Sequence, residues 1–261
     1  MDTKDILRLT IAQVNLVWEN PEENRQNLEK LILQLEGNSD LVILPETFTT
    51  GFSMHPNELA EAMDGPTIQW MHNLSRKTGI AICGSLLIKD NSQNYNRFVF
   101  VAPDGQLTFY DKRHLFSIGG EADSIAPGHK RVIVSYFGWR IALYVCYDLR
   151  FPVWSRNVND TDLMIFTANW PDSRKEVWNV LLKARAIENQ VFVAGVNRIG
   201  KDGNEISYQG DSQIINARGE VLALTEPSVG GLQSYCISRK ELDDFRIKFP
   251  VSREADQYSI S

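Results

Sequence analysis

The chain has 261 residues, enough for one large domain with a sizeable hydrophobic core. Its formal net charge of -6 is modest, and no run of lysine or arginine forms the basic stripe typical of nucleic-acid-binding proteins. The N-terminus lacks a basic start followed by an apolar stretch, and no segment approaches the length of a membrane span. We therefore expect a cytoplasmic protein that binds neither nucleic acid nor membrane.

The three cysteines, Cys83, Cys146 and Cys236, are odd in number and far apart in the sequence. Neither a disulfide framework nor a thiolate metal site is indicated by that spacing. Reduced thiols fit best, and they agree with the expected cytoplasmic location.

The first half of the chain predicts strands alternating with helices. Leucine and isoleucine alternate with polar residues over 7–11, as in a half-buried strand. A helix is predicted over 20–36, with Asn20 as its cap and Pro21 as its first residue. The apolar run at 41–45 predicts a strand covered on both faces. The later elements are a helix over 66–79, a strand over 80–88, and two strands within 97–111 around a Pro-Asp-Gly turn.

The second half predicts a helix over 174–190, with Val177, Leu181, Ala184 and Ile187 on its apolar stripe. No linker rich in Pro, Gly or Ser divides the chain, so residues 1–261 are predicted to form one domain that ends in a C-terminal helix and tail, about 240–261. The pattern is typical of layered α/β structure around a large mixed sheet system. Strands are predicted over 131–135, 139–145, 163–167, 191–196 and 212–217.

Two ionisable residues stand where a predicted strand gives way to a loop, which is where catalytic side chains are commonly held. Glu46 follows the apolar strand at 41–45, and Lys112 follows the alternating strand that ends at 111. Taken alone, each also fits an ordinary surface residue, because carboxylates and lysines are mostly exposed.

Cys146 also ends a predicted strand, and its surroundings differ from those of the other two cysteines. Charged residues follow it, and Pro152 cannot extend a central strand, so the chain must turn close to the thiol. Such a turn presents the sulfur beside backbone N–H groups, which is the geometry of an acyl-transfer nucleophile with its oxyanion hole. Cys83 and Cys236 are expected in the core, where free cysteines are usually found.

The residues alone leave the base for this thiol open. A histidine is the usual partner, and a buried carboxylate with a raised pKa, assisted by a nearby ammonium group, can do the same work. Of the four histidines, two are expected at the surface, in a loop and in a helix, and two flank the lysine segment: His55, His72, His114 and His129.

Three short motifs in this order resemble those of the nitrilase superfamily of carbon-nitrogen hydrolases: ILPETF at 43–48, YDKRHLF at 110–116 and VCYDLRFP at 145–152. The resemblance runs over nearly the whole chain. Further matching segments make it similar to the bacterial omega-amidases in particular: NWP at 169–171, ARAIENQ at 184–190, GVNRIGKDGN at 195–204 and GDSQIINARGEV at 210–221.

The resemblance implies a four-layer αββα sandwich that forms a homodimer. It implies that Glu46 is the general base, Cys146 the nucleophile and Lys112 the cation beside the tetrahedral oxygen. Glu121 matches the position of a second glutamate often found near the site, and an exposed loop carboxylate is its alternative explanation. No metal and no organic cofactor is implied.

Omega-amidases release ammonia from the distal amide of 2-oxoglutaramate and 2-oxosuccinamate, so the implied substrate is a small amide with a 2-oxo acid end. The pocket should then offer a positive or hydrogen-bonding group. Tyr147 is the expected backbone donor to the oxyanion, and Arg150, Asn169, Trp170 and Arg174 are the candidates for substrate binding. Arg150 also fits a structural ion pair with Asp148, and Trp170 also fits core packing.

Other readings stay open at this point. The same triad acts on nitriles, N-carbamoyl amino acids and other amides in this superfamily, and a binding or scaffold member would keep the fold without turnover. Aromatic residues near the motifs, Phe48, Phe52, Phe116 and Trp170, are expected to line the access to the site or to pack in the core.

Overall fold

The computed structural model describes residues 3–35 and 37–256. Two six-stranded sheets form its centre, and each has three neighbouring parallel strands flanked by antiparallel ones. The sheets face each other across one apolar core, to which both contribute. Helices cover the two outer faces, so the predicted four-layer αββα sandwich is confirmed.

The first sheet has the strand order β14-β1-β2-β3-β4-β5. The run at 41–43 is fully buried because β2 lies between β1 and β3 and is covered on both faces. The strands of this sheet are β1 Ile6–Gln13, β2 Leu41–Ile43, β3 Ala81–Asp90, β4 Gln93–Val101, β5 Leu107–Asp111 and β14 Gly231–Ser238.

The second sheet has the order β13-β12-β9-β8-β7-β6, and a separate two-stranded hairpin, β10-β11, stands beside it. Its strands are β6 Ile133–Tyr136, β7 Trp139–Val145, β8 Leu163–Ala168, β9 Phe192–Asn197, β12 Gln213–Ile215 and β13 Val221–Leu224. The hairpin strands are β10 Ile199–Lys201 and β11 Ser207–Gln209.

The first and the last α-helix begin at a residue whose side chain caps them, Asn20 and Ser238. In α1 the Asn20 side chain accepts from the Glu23 N–H and Pro21 is the first residue, as predicted. Apolar residues of α1 and α3 pack on the outer face of the first sheet, and those of α4 and α5 pack against the second. The α-helices are α1 Pro21–Ile32, α2 Pro56–Leu59, α3 Pro66–Thr78, α4 Lys175–Asn189 and α5 Arg239–Lys248.

Two boundary regions fall partly outside the described part of the chain. The predicted helix over 20–36 ends at Ile32, a 3-10 turn follows at Leu33–Leu35, and residue 36 lies outside the described residues. The tail beyond residue 256 also lies outside them. A single domain over residues 1–261 stays a prediction. Within the described ranges, no helix combines the length and apolarity needed to cross a bilayer.

The apolar stripe predicted for α4 was correct only in part. Val177 and Leu181 are partly buried against the core, but Ile187 is 53% exposed, and the fully buried side chains are Trp178 and Leu182. These two side chains pack on β9 at Gly195, where any Cβ would overlap Leu182. The Trp178 indole also donates a hydrogen bond to the Asp211 carbonyl. Because Gly195 has no side chain, the face of α4 that carries Trp178 and Leu182 can pack closely on β9. The spacing of apolar residues along the helix did not reveal this contact.

The two cysteines expected in the core differ. Cys83 is fully buried in β3, as predicted. Cys236 is exposed, so its core assignment was wrong. It lies on β14, an edge strand of the first sheet that pairs with β1, and it is exposed whereas the next residue, Ile237, is buried in the core. Alternation on a half-covered edge strand decides its exposure.

A buried carboxylate joins α5 to the second sheet. Asp162, just before β8, is fully buried and forms ion pairs with Arg140, Arg239 and Arg246 at 2.7, 3.1 and 3.0 Å. Burial alone would raise the pKa of Asp162, but hydrogen bonds from Arg140 and the charge of Arg239 outweigh it and hold the pKa below its ordinary value. Because Arg239 and Arg246 belong to α5, the carboxylate fastens that helix to the sheet.

We expect an Asp162→Asn variant to lose about 1–3 kcal/mol of unfolding free energy at pH 7, a range reduced for the partial exposure of the arginines. A depressed carboxyl pKa adds stability above its unfolded value and loses it as the pH falls through the folded pKa. The difference between parent and variant should therefore shrink below about pH 4. Urea unfolding of parent and variant at pH 7 and below pH 4 measures this difference. Equal stabilities at pH 7 would contradict a stabilising role of the Asp162 ion pairs.

Candidate active site

The three residues of the sequence motifs come together from different strand ends. Glu46 follows β2 by three residues, Lys112 directly follows β5, and Cys146 directly follows β7. The first two strands belong to one sheet and the third to the other. The structure also places Glu121, from the 3-10 turn Glu121–Asp123, in this cluster.

One ammonium group lies between two carboxylates at the centre of the cluster. Lys112 Nζ is 2.8 Å from Glu46 Oε1 and 3.0 and 2.9 Å from the two oxygens of Glu121. All three side chains are essentially without solvent exposure. Glu121 also accepts a hydrogen bond from the Phe116 N–H at 2.7 Å. The alternative explanation, an exposed carboxylate in a loop, was therefore wrong.

Charge balance fixes the protonation of the lysine. Burial alone would lower the pKa of Lys112, but the negative charges of Glu121 and Glu46 outweigh it and raise the pKa above its ordinary value. The side chain is therefore an ammonium ion at neutral pH and can stabilise a developing negative charge.

Two asparagines hold the glutamate in place. Asn96 Nδ2, in the middle of β4, donates to Glu46 Oε1 at 2.8 Å and to Glu121 Oε1 at 3.0 Å. The backbone N–H of Asn169 donates to Glu46 Oε2 at 2.8 Å, and its side-chain amide donates to the Glu46 carbonyl oxygen. Asn169 lines the pocket, as expected, but its N–H groups orient Glu46 rather than point to a substrate.

Cys146 opens the 3-10 turn Cys146–Arg150 in a left-handed conformation, with φ +42°. Such a value is uncommon for a residue with a side chain and marks a constrained turn. Burial and the charge of Glu46 raise the pKa of the thiol well above its ordinary value, although Lys112 acts in the opposite direction. The resting thiol is thus neutral at neutral pH, and its activation requires a base.

The histidines form other contacts. His114 Nδ1 is 2.8 Å from an oxygen of Asp148, His129 Nδ1 is 3.1 Å from Arg113, and His55 Nδ1 is 2.9 Å from Glu19. The charges that act on Cys146 are those of Glu46, Lys112 and Glu121. The geometry therefore favours the carboxylate over a histidine as the base.

A pocket of about 720 Å³, its open mouth included, leads to Cys146 and Lys112. Its walls are partly aromatic, and Phe52, Phe116 and Trp170 line it as expected, whereas Phe48 is fully buried in the core beneath α3. Trp170 lines the pocket and also packs on Trp178, with ring centroids 5.5 Å apart.

Two guanidinium groups face the same pocket. Arg150 lies over the Trp170 ring at 5.2 Å, and Arg174 lies over the Phe116 ring at 5.4 Å. Among residues 3–35 and 37–256, no carboxylate forms an ion pair with either of them. Asp148, the structural partner considered for Arg150, is hydrogen-bonded to other groups. Both arginines are thus available to an anion in the pocket.

Part of the pocket wall was not anticipated from the sequence. The hairpin β10-β11 contributes Asp202, Asn204, Ile206 and Tyr208. The Asp202 carboxylate accepts from two backbone N–H groups of the hairpin turn and from the Tyr208 hydroxyl at 2.9 Å. The Lys-Asp-Gly-Asn sequence at 201–204 was the available signal for this turn.

Within the described ranges, no group of three or more His, Cys, Asp or Glu side chains is arranged to hold a metal ion. The site thus consists of an ammonium ion, two carboxylates and a thiol at the base of a pocket with cationic walls. Residues 8–246 match the family model of carbon-nitrogen hydrolases, and the chain belongs to this family, within the nitrilase superfamily.

Curated relatives and a solved structure agree with this membership. The chain is 43% identical over 256 residues to the omega-amidase YafV of Escherichia coli K12. The alignment covers 97% of this chain and 98% of that protein. It is 34% identical to a 2-oxoglutaramate amidase of Bacillus subtilis, over 82% of this chain and 85% of the relative.

The structural comparison gives the same family. A CN-hydrolase superfamily protein of Xanthomonas campestris, solved with an arsenic adduct in its active site, is 42% identical, with a TM-score of 0.96. The match covers 99% of this chain and 100% of that one.

Proposed function

We propose that the protein is an omega-amidase that hydrolyses the terminal amide of 2-oxoglutaramate or 2-oxosuccinamate to the 2-oxo dicarboxylic acid and ammonia. The observation that carries the proposal is one pocket that combines the Glu46, Lys112 and Cys146 cluster with two guanidinium groups that form no ion pair within the described residues. The near full-length identity to an omega-amidase supports the same activity.

In the first step, Glu46 accepts the thiol proton of Cys146 while the sulfur attacks the amide carbonyl carbon. A C–S bond forms, and the carbonyl electrons move to the oxygen. Lys112, held as an ammonium ion by its two carboxylates, stabilises that oxyanion together with the backbone N–H of Tyr147. Tyr147 is in the first turn of its 3-10 segment, where N–H groups lack acceptors within the helix.

In the second step, the oxyanion returns its electrons, the C–N bond breaks, and Glu46 gives its proton to the nitrogen, which leaves as ammonia. A thioester on Cys146 remains. Water then transfers a proton to Glu46 and attacks the thioester, and the C–S bond breaks to release the acid. Glu46 returns the proton to the sulfur, which restores the resting site. Glu121 keeps Lys112 in place and charged throughout.

We propose that the two arginines bind the carboxylate at the 2-oxo acid end of the substrate. Arg150 and Arg174 carry positive charge on the pocket wall without an ion-pair partner in the described chain. Arg150 makes a cation-π contact with Trp170, and Arg174 makes one with Phe116. Guanidinium groups bind carboxylates through two parallel hydrogen bonds, which gives orientation as well as affinity. A substrate of this shape places its amide at the thiol and its acid end between the arginines.

We predict that Arg150→Ala or Arg174→Ala raises KM for 2-oxoglutaramate by about 10- to 100-fold, because a hydrogen bond to a charged group contributes about 1.5–3 kcal/mol. The matched control substrate is pentanamide, which has the same chain length without the acid end. Its turnover should change little in the same variants. Equal losses on both substrates would contradict a carboxylate-binding role.

Ammonia release tests the proposed activity directly. The purified protein is assayed with 2-oxoglutaramate, 2-oxosuccinamate, an aliphatic nitrile and an N-carbamoyl amino acid. We expect the largest kcat/KM for the two oxo amides. A larger value for the nitrile or the carbamoyl compound would assign another activity of the superfamily, and no turnover of any of them would indicate a non-catalytic binding or scaffold member.

We also propose a cytoplasmic homodimer. The three free cysteines support a reducing compartment. On α4, Val180 and Ile187 are 62% and 53% exposed, which supplies an apolar surface suited to a second copy. Analytical ultracentrifugation at micromolar concentration should give twice the monomer mass, and a monomer there would contradict the dimer.

A further inference from the structure

Asp148 is a buried carboxylate that the mechanism above does not use. It lies two residues after Cys146 and is fully buried. Its Oδ2 accepts from the Val145 N–H at 3.0 Å and from the Tyr110 hydroxyl at 2.7 Å. Its Oδ1 accepts from the backbone N–H and the Nδ1 of His114 at 3.0 and 2.8 Å. All four contacts require an acceptor at Asp148.

These donors belong to two different parts of the fold. Val145 ends β7 in the second sheet and directly precedes Cys146, whereas Tyr110 and His114 flank Lys112 at the end of β5 in the first sheet. The Tyr110 hydroxyl in turn accepts from the Arg113 N–H at 3.1 Å and from the Trp154 indole at 3.0 Å. Burial and Asp148 raise the pKa of Tyr110, so its hydroxyl stays protonated and donates to the carboxylate.

The contacts also close the turn that carries the thiol. The hydrogen bond from Val145 to Asp148 caps the 3-10 turn Cys146–Arg150. Cys146 keeps a φ of +42° in that turn, a conformation that persists only where its surroundings fix it. Of the residues in the turn, Asp148 is the one whose side chain binds both the preceding strand and the opposite sheet.

We propose that Asp148 is a positioning residue for acyl transfer. Its carboxylate ties the strand end that carries Cys146 to the segment that carries Lys112, and so holds the sulfur and the ammonium group at their working separation across the two sheets. The inference rests on the proposed amidase activity, and it assigns Asp148 no contact with the substrate.

The test uses an Asp148→Asn variant. The amide has the same shape, but its NH2 group must face the donors of either Val145 or His114, so one pair of contacts is lost. We expect kcat for 2-oxoglutaramate to fall about 100-fold per active site, since displacement of reacting groups by about 1 Å costs that much. KM should stay within about threefold, because the groups that bind the substrate are intact. Active sites are counted by quenching and measuring acylated Cys146 by mass spectrometry.

Asp162→Asn is the matched control, because Asp162 is equally buried and hydrogen-bonded but is bound by Arg140, Arg239 and Arg246 rather than by residues next to Cys146 and Lys112. We expect it to lose stability while keeping kcat per active site. An Asp148→Asn protein with the kcat of the parent per active site would overturn the proposal.

A second variant decides the matter if Asp148→Asn does not fold. Tyr110→Phe removes one donor to the carboxylate, and we expect about a tenfold loss of kcat with KM kept. An unchanged kcat in this variant would also overturn the proposal. Absence of acylated Cys146 in the parent protein would instead count against the amidase activity itself.

Discussion

A Cys146→Ala variant is expected to lose hydrolysis of 2-oxoglutaramate by about 10⁴-fold or more, since removal of a nucleophile from a catalytic group abolishes the covalent route. The fold should be retained, because the thiol is a small side chain at the base of a pocket. In the parent, rapid quenching during turnover should reveal a mass increase on Cys146 that corresponds to the acyl group.

The control for this experiment is Cys236→Ala. Cys236 is an exposed thiol on an edge strand, far in the sequence from the motifs, and its removal should leave kcat and KM unchanged. Residual amide hydrolysis by Cys146→Ala at the rate of the parent would rule out the thioester mechanism. So would an acyl group found on a different residue.

The second large effect is expected for Lys112→Met. Loss of the ammonium group removes the cation beside the oxyanion, and we expect kcat to fall by about 10²- to 10³-fold or more, as when one oxyanion donor is removed. It also leaves Glu46 and Glu121 as two buried carboxylates without a counter-charge. Breaking a buried ion pair in this way costs about 3–5 kcal/mol of stability. Steady-state kinetics and urea unfolding measure the two consequences separately.

A double variant separates the chemical role of Lys112 from its structural one. In Lys112→Met/Glu121→Gln one of the two stranded carboxylates is neutral, so much of the lost stability should return while kcat stays low. Recovery of kcat together with stability would show that the lysine acts only by holding the fold together.

Most of the central strands could be predicted from the sequence. β2 and β8 are continuous apolar runs because both lie between parallel neighbours and are covered on both faces. One edge of each sheet was harder to predict. β13 and β14 were not predicted, since a half-exposed edge strand mixes polar and apolar residues, and the exposure of Cys236 was missed for the same reason.

The site was readable only where residue type and strand end coincide. Glu46, Lys112 and Cys146 each follow a strand and belong to recognisable motifs. Asn96 gave no such signal, because it lies in the middle of β4 and gains its role only when Glu46 and Glu121 are brought beside it. Contacts that join residues 25 to 50 positions apart depend on tertiary packing, which local patterns do not encode.

Glu46 and Lys112 extend from one sheet, and Cys146 and Asn169 extend from the other. The strand pairs lie within each sheet, so the distance between the base and the thiol depends on how the two sheets pack against each other. The rate of hydrolysis therefore depends on the relative position of the two sheets, even where the strand pairs within each sheet are unchanged.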